Sequence, residues 1–191
     1  MSDEPSPKAN PMDAFHSVWY RLVLLFAALE LTVLWLVLGP SNPWYAVGVV
    51  GGTFALGPAV AAPVTRRVPR QWLRVPTGER VLHRIVGVGI LGWLLDVSGW
   101  NRHLAEPMRG FSGKKAGLTS LEHSVRAGAI AHGTCFGIHV LLAVFALFTR
   151  HPWRGALWML LPGVVVHLYP VLLQRSIMLR LQPVLDKIGA C

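Results

Sequence analysis

Hydrophobic residues gather into four long runs that are separated by polar or basic segments. The runs cover about residues 17–38, 44–65, 126–149 and 153–173. Each has close to the ~20 residues that an α-helix needs to cross a lipid bilayer. We therefore predict an all-α, polytopic membrane protein whose four transmembrane helices form one domain, residues 17–191. The mostly polar residues 1–16 are expected to form a disordered arm.

A shorter apolar run lies within residues 81–100, between the second and third long runs. Its apolar part, Ile85 to Val97, is too short to cross a bilayer upright. We predict an interfacial or re-entrant helix here, with Trp93 and Trp100 at the level of the lipid headgroups. In the alternative interpretation this run is a fifth span, which reverses the orientation of the helices that follow it.

Charge sets the expected orientation. The net charge is +9, and most of the basic residues lie between Arg66 and Arg126. Positively charged loops stay in the cytoplasm, so both termini and the arm are expected inside, and the turns near residues 41 and 151 outside. The basic residues alternate with Trp and Pro beside the spans. This arrangement favours membrane lipids or a phosphate-bearing substrate over nucleic acid.

The second long run is rich in glycine, with Gly51 and Gly52 at its centre. Small residues let helices approach closely in lipid, so this run is a candidate surface for forming a homo-oligomer. The chain has two cysteines, Cys135 and Cys191, which lack the spacing of metal ligands. We therefore expect no metal site.

Histidines within the last two long runs are the candidate chemical groups. At ~1.5 Å per residue, His132 is about 9 Å from the Arg126 end of its helix, and His167 is about 12 Å from the Arg175 end of the next. In a helical hairpin these ends lie on one side, so the two imidazoles are predicted to meet.

His139 lies seven residues after His132 and therefore on the same helix face. Glu30 is deep in the first run, at a depth that matches His139, and is a candidate partner for it. A charged side chain at this depth must face protein or water. The alternative is a neutral Glu30 that is hydrogen-bonded locally.

Several short motifs are similar to one known family. They comprise Phe111-Ser112-Gly113-Lys114-Lys115, Leu118 to Glu122 leading to Arg126-Ala127, Gln174-Arg175 and Arg180-Leu181. Over residues 79–181 the chain resembles the glycosyl-4,4'-diaponeurosporenoate acyltransferases of carotenoid biosynthesis, which are small integral membrane proteins. The resemblance implies transfer of a fatty acyl chain to a lipid-like, glycosylated or natural-product acceptor at the cytoplasmic face. It also implies a bacterial inner-membrane location and an acyl donor such as acyl-CoA or acyl carrier protein, with no other cofactor.

Acyl transfer needs a general base for the acceptor and positive or donor groups for the oxyanion. We assign the base to His132, with Glu122 and His123 as second choices. The substrate-binding candidates are Arg126, His167, Gln174, Arg175, Arg180, Lys114 and Lys115. We expect His132, His167, Arg126 and Arg175 to line one cavity that opens to the cytoplasmic side.

Three other functions compete with acyl transfer. Paired intramembrane histidines can ligate haem between the helices of a bundle. Glu30 and the histidines are candidates for the proton relay of a small transporter. A non-catalytic membrane scaffold or lipid-binding partner is the remaining interpretation.

Overall fold

The computed structural model describes residues 11–105, 109, 111 and 114–189. Four of its helical segments are long and apolar enough to cross a membrane, namely Val18–Leu38, Pro43–Thr65, Lys115–Ala146 and Pro152–Lys187. The described part of the chain contains helices and turns but no β-strand. The predicted all-α class with four candidate spans is confirmed.

The first two helices, α1 (Pro11–Leu38) and α2 (Pro43–Arg67), form a hairpin. Gly39 adopts a left-handed φ of +74° in the turn, which glycine tolerates because it has no Cβ. The side chain of Asn42 accepts a hydrogen bond from the backbone N–H of Trp44 and caps α2. Helix α1 includes residues 11–16, which we had assigned to the arm, while residues 1–10 lie outside the described residues.

The predicted single helix over residues 81–100 is instead two helices, α3 (Glu79–Ile85) and α4 (Val88–Val97). Gly87 separates them with a left-handed φ of +69°. The hydroxyl of Tyr169 donates a hydrogen bond to the Val86 carbonyl at 2.9 Å and ties this break to the last helix. The interfacial position of the segment remains a prediction.

The second half of the chain is a longer hairpin. Helix α5 (Leu118–Ala146) is followed by α6 (Pro152–Pro162), a π-helical segment (Gly163–Leu168) and α7 (Tyr169–Lys187). The last three join end to end into one helical segment. Both arms of the hairpin extend beyond the predicted spans at the basic end of the molecule.

Helix α5 is central, since α2, α6, the π-helical segment and α7 all pack on it. A core cluster that includes Tyr45, Val49 and Met159 lies near the turns. A second cluster at the other end joins α5 to α7 and includes Val125 and Leu181. Large apolar side chains cover much of the outer surface, as expected of helices that face lipid.

Candidate functional site

His132, His139 and His167 meet between α5 and the π-helical segment. Nδ1 of His132 lies 3.3 Å from Nδ1 of His167. The His139 ring centroid is 5.2 Å from that of His167. His139 and His167 are fully buried, whereas His132 is partly exposed. The prediction that His132 and His167 meet is therefore confirmed.

Gly163 permits this close packing at the start of the π-helical segment. A Cβ placed on Gly163 would lie 2.7 Å from Cβ of His139, closer than two side-chain carbons approach. The hydrogen bonds of a π-helical turn reach one residue further than those of an α-helical turn, and such turns occur frequently at functional sites. Here that turn carries His167 toward His132.

Thr53 of α2 joins the histidine cluster, and we had not predicted it. Its Oγ1 lies 3.0 Å from Nε2 of His167, and its side chain is 1% exposed. The thiol of Cys135 donates to the Thr53 carbonyl at 3.2 Å. A hydroxyl in the middle of a largely apolar and glycine-rich run was the sequence signal that could have pointed to it.

The suggested pairing of Glu30 with His139 is wrong. Nδ1 of His139 lies 2.9 Å from the Met159 carbonyl oxygen, and its Nε2 is buried without a partner among the described residues. Glu30 is exposed and lies beside α2, where its carboxylate is 2.8 Å from the position of a Cβ on Gly52. The two side chains therefore contact different helices.

Arg126 and Glu122 lie in a cavity of about 250 Å³ near the basic end of the molecule. Nη1 of Arg126 is 3.4 Å from Oε1 of Glu122, and Nη2 is 3.4 Å from the Val68 carbonyl. Nε of Arg126 is buried and has no partner in the described part of the chain. The lining residues are Gln71, Arg74, Glu122, Arg126, Met178, Gln182, Leu185 and Asp186. His132, His167 and Arg175 are not among them, so this cavity does not combine the four residues as predicted.

Arg175 is bound by Glu79 instead. Its Nε donates to Oε2 of Glu79 at 2.8 Å, and its Nη2 donates to Oε1. This bidentate ion pair fixes α3 to α7 and holds the pKa of the Glu79 carboxyl below its ordinary value. Burial of the neighbouring His83 lowers the pKa of its imidazole.

The remaining predicted site residues lie outside the histidine cluster. Gln174 packs against Gly128, where a Cβ would lie 3.0 Å from its Nε2. Four other predicted site residues have exposed side chains, namely His123, Lys114, Lys115 and Arg180. Ser112 and Gly113 of the quoted motif fall outside the described residues. Among the described residues, no group of three or more His, Cys, Asp or Glu side chains is arranged to hold a metal ion.

Comparison with known proteins identifies the family. No curated protein and no solved structure matches the chain significantly. The model of the glycosyl-4,4'-diaponeurosporenoate acyltransferase family matches residues 66–187. This range is more than half of the chain and contains all three clustered histidines, the Arg126 cavity residues of α5 and α7, and the Glu79–Arg175 pair. The chain therefore belongs to the glycosyl-4,4'-diaponeurosporenoate acyltransferase family.

Proposed function

We propose that the protein is a membrane-embedded enzyme that transfers a fatty acyl chain to a lipid-like, glycosylated or natural-product acceptor at the cytoplasmic face. The observation that carries this proposal is the contact between His132 and His167, 3.3 Å apart within a bundle of apolar helices. Ionisable side chains inside membrane spans are costly and usually serve function. Membership of an acyltransferase family gives the reaction class.

His132 is the general base in this proposal. Its Nδ1 is hydrogen-bonded to His167. Its Nε2 has no hydrogen-bond partner among the described residues, and this atom is not fully buried. The acceptor hydroxyl gives its proton to this nitrogen while its oxygen attacks the acyl carbonyl of a thioester donor, acyl-CoA or acyl carrier protein. The thiolate then leaves and takes up the proton. The new ester and the free thiol balance the reaction.

Arg126 and Glu122 bind the polar end of a substrate in this proposal. Arg126 is six residues before His132 and therefore about 9 Å away along α5. A buried guanidinium with an unpartnered Nε can donate to a ligand oxygen that enters the cavity. The exposed Lys114, Lys115 and Arg180 offer positive charge to headgroups or donor phosphates near the same end.

The orientation belongs to the same proposal. The basic segment between α2 and α5 faces the cytoplasm, and both termini are cytoplasmic in the bacterial inner membrane. In this orientation the Arg126 cavity opens on the side where acyl-CoA and acyl carrier protein are found. The acyl chain reaches His132 from the apolar interior of the membrane.

The test uses purified protein in vesicles of bacterial lipid with radiolabelled palmitoyl-CoA and, in parallel, palmitoyl-loaded acyl carrier protein. Labelled lipid products are separated and counted. His132→Ala should lower the rate by about 10²- to 10⁴-fold, the usual cost of losing a general base. His151→Ala, an exposed histidine in the α5–α6 turn, is the matched control and should retain the rate. Full activity of folded His132→Ala would refute the proposal.

A further inference from the structure

We propose that Thr53 fixes the tautomers of His167 and His132 so that Nε2 of His132 is the unprotonated, accessible nitrogen. Thr53 is thus a positioning residue on α2, before the first residue of the family match. Its effect on catalysis rests on the proposed function. The tautomers themselves do not, because they follow from hydrogen bonds and can be observed directly.

The Thr53 hydroxyl has only one proton, and its surroundings determine the direction of that proton. Oγ1 lies 2.8 Å from the Val49 carbonyl oxygen and 3.0 Å from the Val50 carbonyl oxygen. Carbonyl oxygens only accept hydrogen bonds, so the hydroxyl proton must point toward them. The hydroxyl oxygen then accepts from Nε2 of His167, which lies 3.0 Å away. His167 therefore carries its proton on Nε2.

The protonation state of His132 follows from that of His167. A neutral imidazole has one N–H and one acceptor nitrogen, so Nδ1 of His167 accepts. The atom facing it at 3.3 Å is Nδ1 of His132, which must donate. The remaining nitrogen, Nε2 of His132, then carries a lone pair. This is the nitrogen that a substrate proton can reach.

The opposite pair of tautomers is unfavourable at Thr53 and removes the base at His132. If Nε2 of His167 were unprotonated, the Thr53 hydroxyl would have to donate to it. Its oxygen would then face two carbonyl oxygens at 2.8 and 3.0 Å with no proton between them, which is repulsive. Nδ1 of His132 would become the acceptor and its Nε2 would carry the proton, so that the base would be lost.

His139 has the same tautomer as His132 but is not accessible. Its Nδ1 lies 2.9 Å from the Met159 carbonyl oxygen and must donate to it. Its Nε2 therefore has a lone pair, but this atom is buried. The structure thus distinguishes His132 from His139 by access, and Thr53 acts only on the pair that contains His132.

Nitrogen NMR of histidine-labelled protein in lipid nanodiscs tests the assignment, with signals identified from His132→Gln and His167→Gln. We expect the protonated nitrogen at Nε2 in His167 and at Nδ1 in His132. Thr53→Val keeps the side-chain shape but removes the hydroxyl. It should shift the tautomer populations by roughly threefold to tenfold, the effect of losing one hydrogen bond, and Thr53→Ser should restore them.

Thr65→Val is the matched control. Thr65 is also buried on α2, but its hydroxyl donates to the Ala61 carbonyl at 2.6 Å and contacts no histidine among the described residues, so its loss should leave the histidine signals unchanged. A proton on Nδ1 of His167 in the unmodified protein would overturn the inference, and so would an unchanged spectrum in folded Thr53→Val. If Thr53→Val does not fold, the spectra of the unmodified protein and of Thr53→Ser still show which nitrogen of His167 carries the proton. If NMR shows the expected tautomers but His132→Ala is fully active, the proposed function is refuted and the tautomer assignment stands.

Discussion

Nδ1 of His132 lies 3.3 Å from Nδ1 of His167, although 35 positions separate the two residues in the chain. Only one of these nitrogens can carry the proton between them while both rings are neutral, so neither neutral histidine can change its tautomer without a change in the other. The two side chains should therefore behave as one unit.

Substitution of both histidines should consequently cost less activity than the sum of the single losses. Residues that act as a unit give strongly non-additive effects on rate. We expect His167→Ala to lower the rate by less than His132→Ala, and the double variant to resemble His132→Ala. Acyl-transfer rates of the four proteins in a double-mutant cycle provide the measurement. Additive losses would mean that the two imidazoles act independently.

Gly163→Ala should destabilise the protein. The added Cβ would lie 2.7 Å from Cβ of His139, and overpacking of this kind typically costs about 1–3 kcal/mol. Gly137→Ala on α5 is the matched control because nothing lies within 4 Å of its Cβ position. It should be neutral or stabilising, since Ala favours a helix over Gly by about 1 kcal/mol. Thermal unfolding in detergent compares them, and equal midpoints for the two variants would contradict the observed packing.

Acidification should release α3 from α7. Arg175 lowers the pKa of Glu79 from its ordinary value of 4.5, so the ion pair stabilises the folded state above that pH. This stabilisation is lost as the pH falls through the lowered pKa. His83, whose pKa is lowered by burial from 6.5, adds a loss that begins at higher pH.

Hydrogen exchange of residues 79–85 between pH 7 and pH 3 measures the release. His83→Gln should remove the part of the change that begins near pH 6.5 and leave the part below pH 4.5. Glu79→Gln should weaken the protection already at pH 7 and remove the lower step. Protection that stays constant to pH 3 in the unmodified protein would show that the pair does not hold α3.

Single cysteines should report the proposed orientation, after Cys135 and Cys191 are replaced by alanine. An impermeant thiol reagent added outside intact cells should label cysteines at Ser41 and His151. A cysteine at Lys114 should react only after the membrane is opened, because the basic segment is expected in the cytoplasm. Labelling from outside at position 114 would reverse the orientation.

The sequence by itself determined the helical class, the four candidate spans and the matching positions of His132 and His167 along their two helices. The thickness of the bilayer fixes the length of an apolar run, and the fixed rise of a helix converts a position in the chain into a depth. That is why the meeting of His132 and His167 could be predicted. The motifs around Arg126 and Arg175 also indicated the family that the comparison confirmed.

Depth alone does not give the direction of a side chain, and the suggested Glu30–His139 pair failed for that reason. The rotation of α1 places Glu30 beside Gly52 of α2, whereas packing against the π-helical segment directs His139 to the Met159 carbonyl. Depth also did not predict the ion-pair partner of Arg175, because Glu79 lies 96 positions away in the chain. The hydrogen bond from Tyr169 to the Val86 carbonyl beside the break at Gly87 likewise joins residues 83 positions apart, and no local pattern contains it.

Thr53 shows most clearly what only the tertiary structure decided. Its helix position is readable from the sequence, but its contact with His167 depends on the rotation of α2 against α5 and α6. That rotation is set by how side chains from three helices fit together, because lipid provides no hydrophobic force that would orient one helix against another.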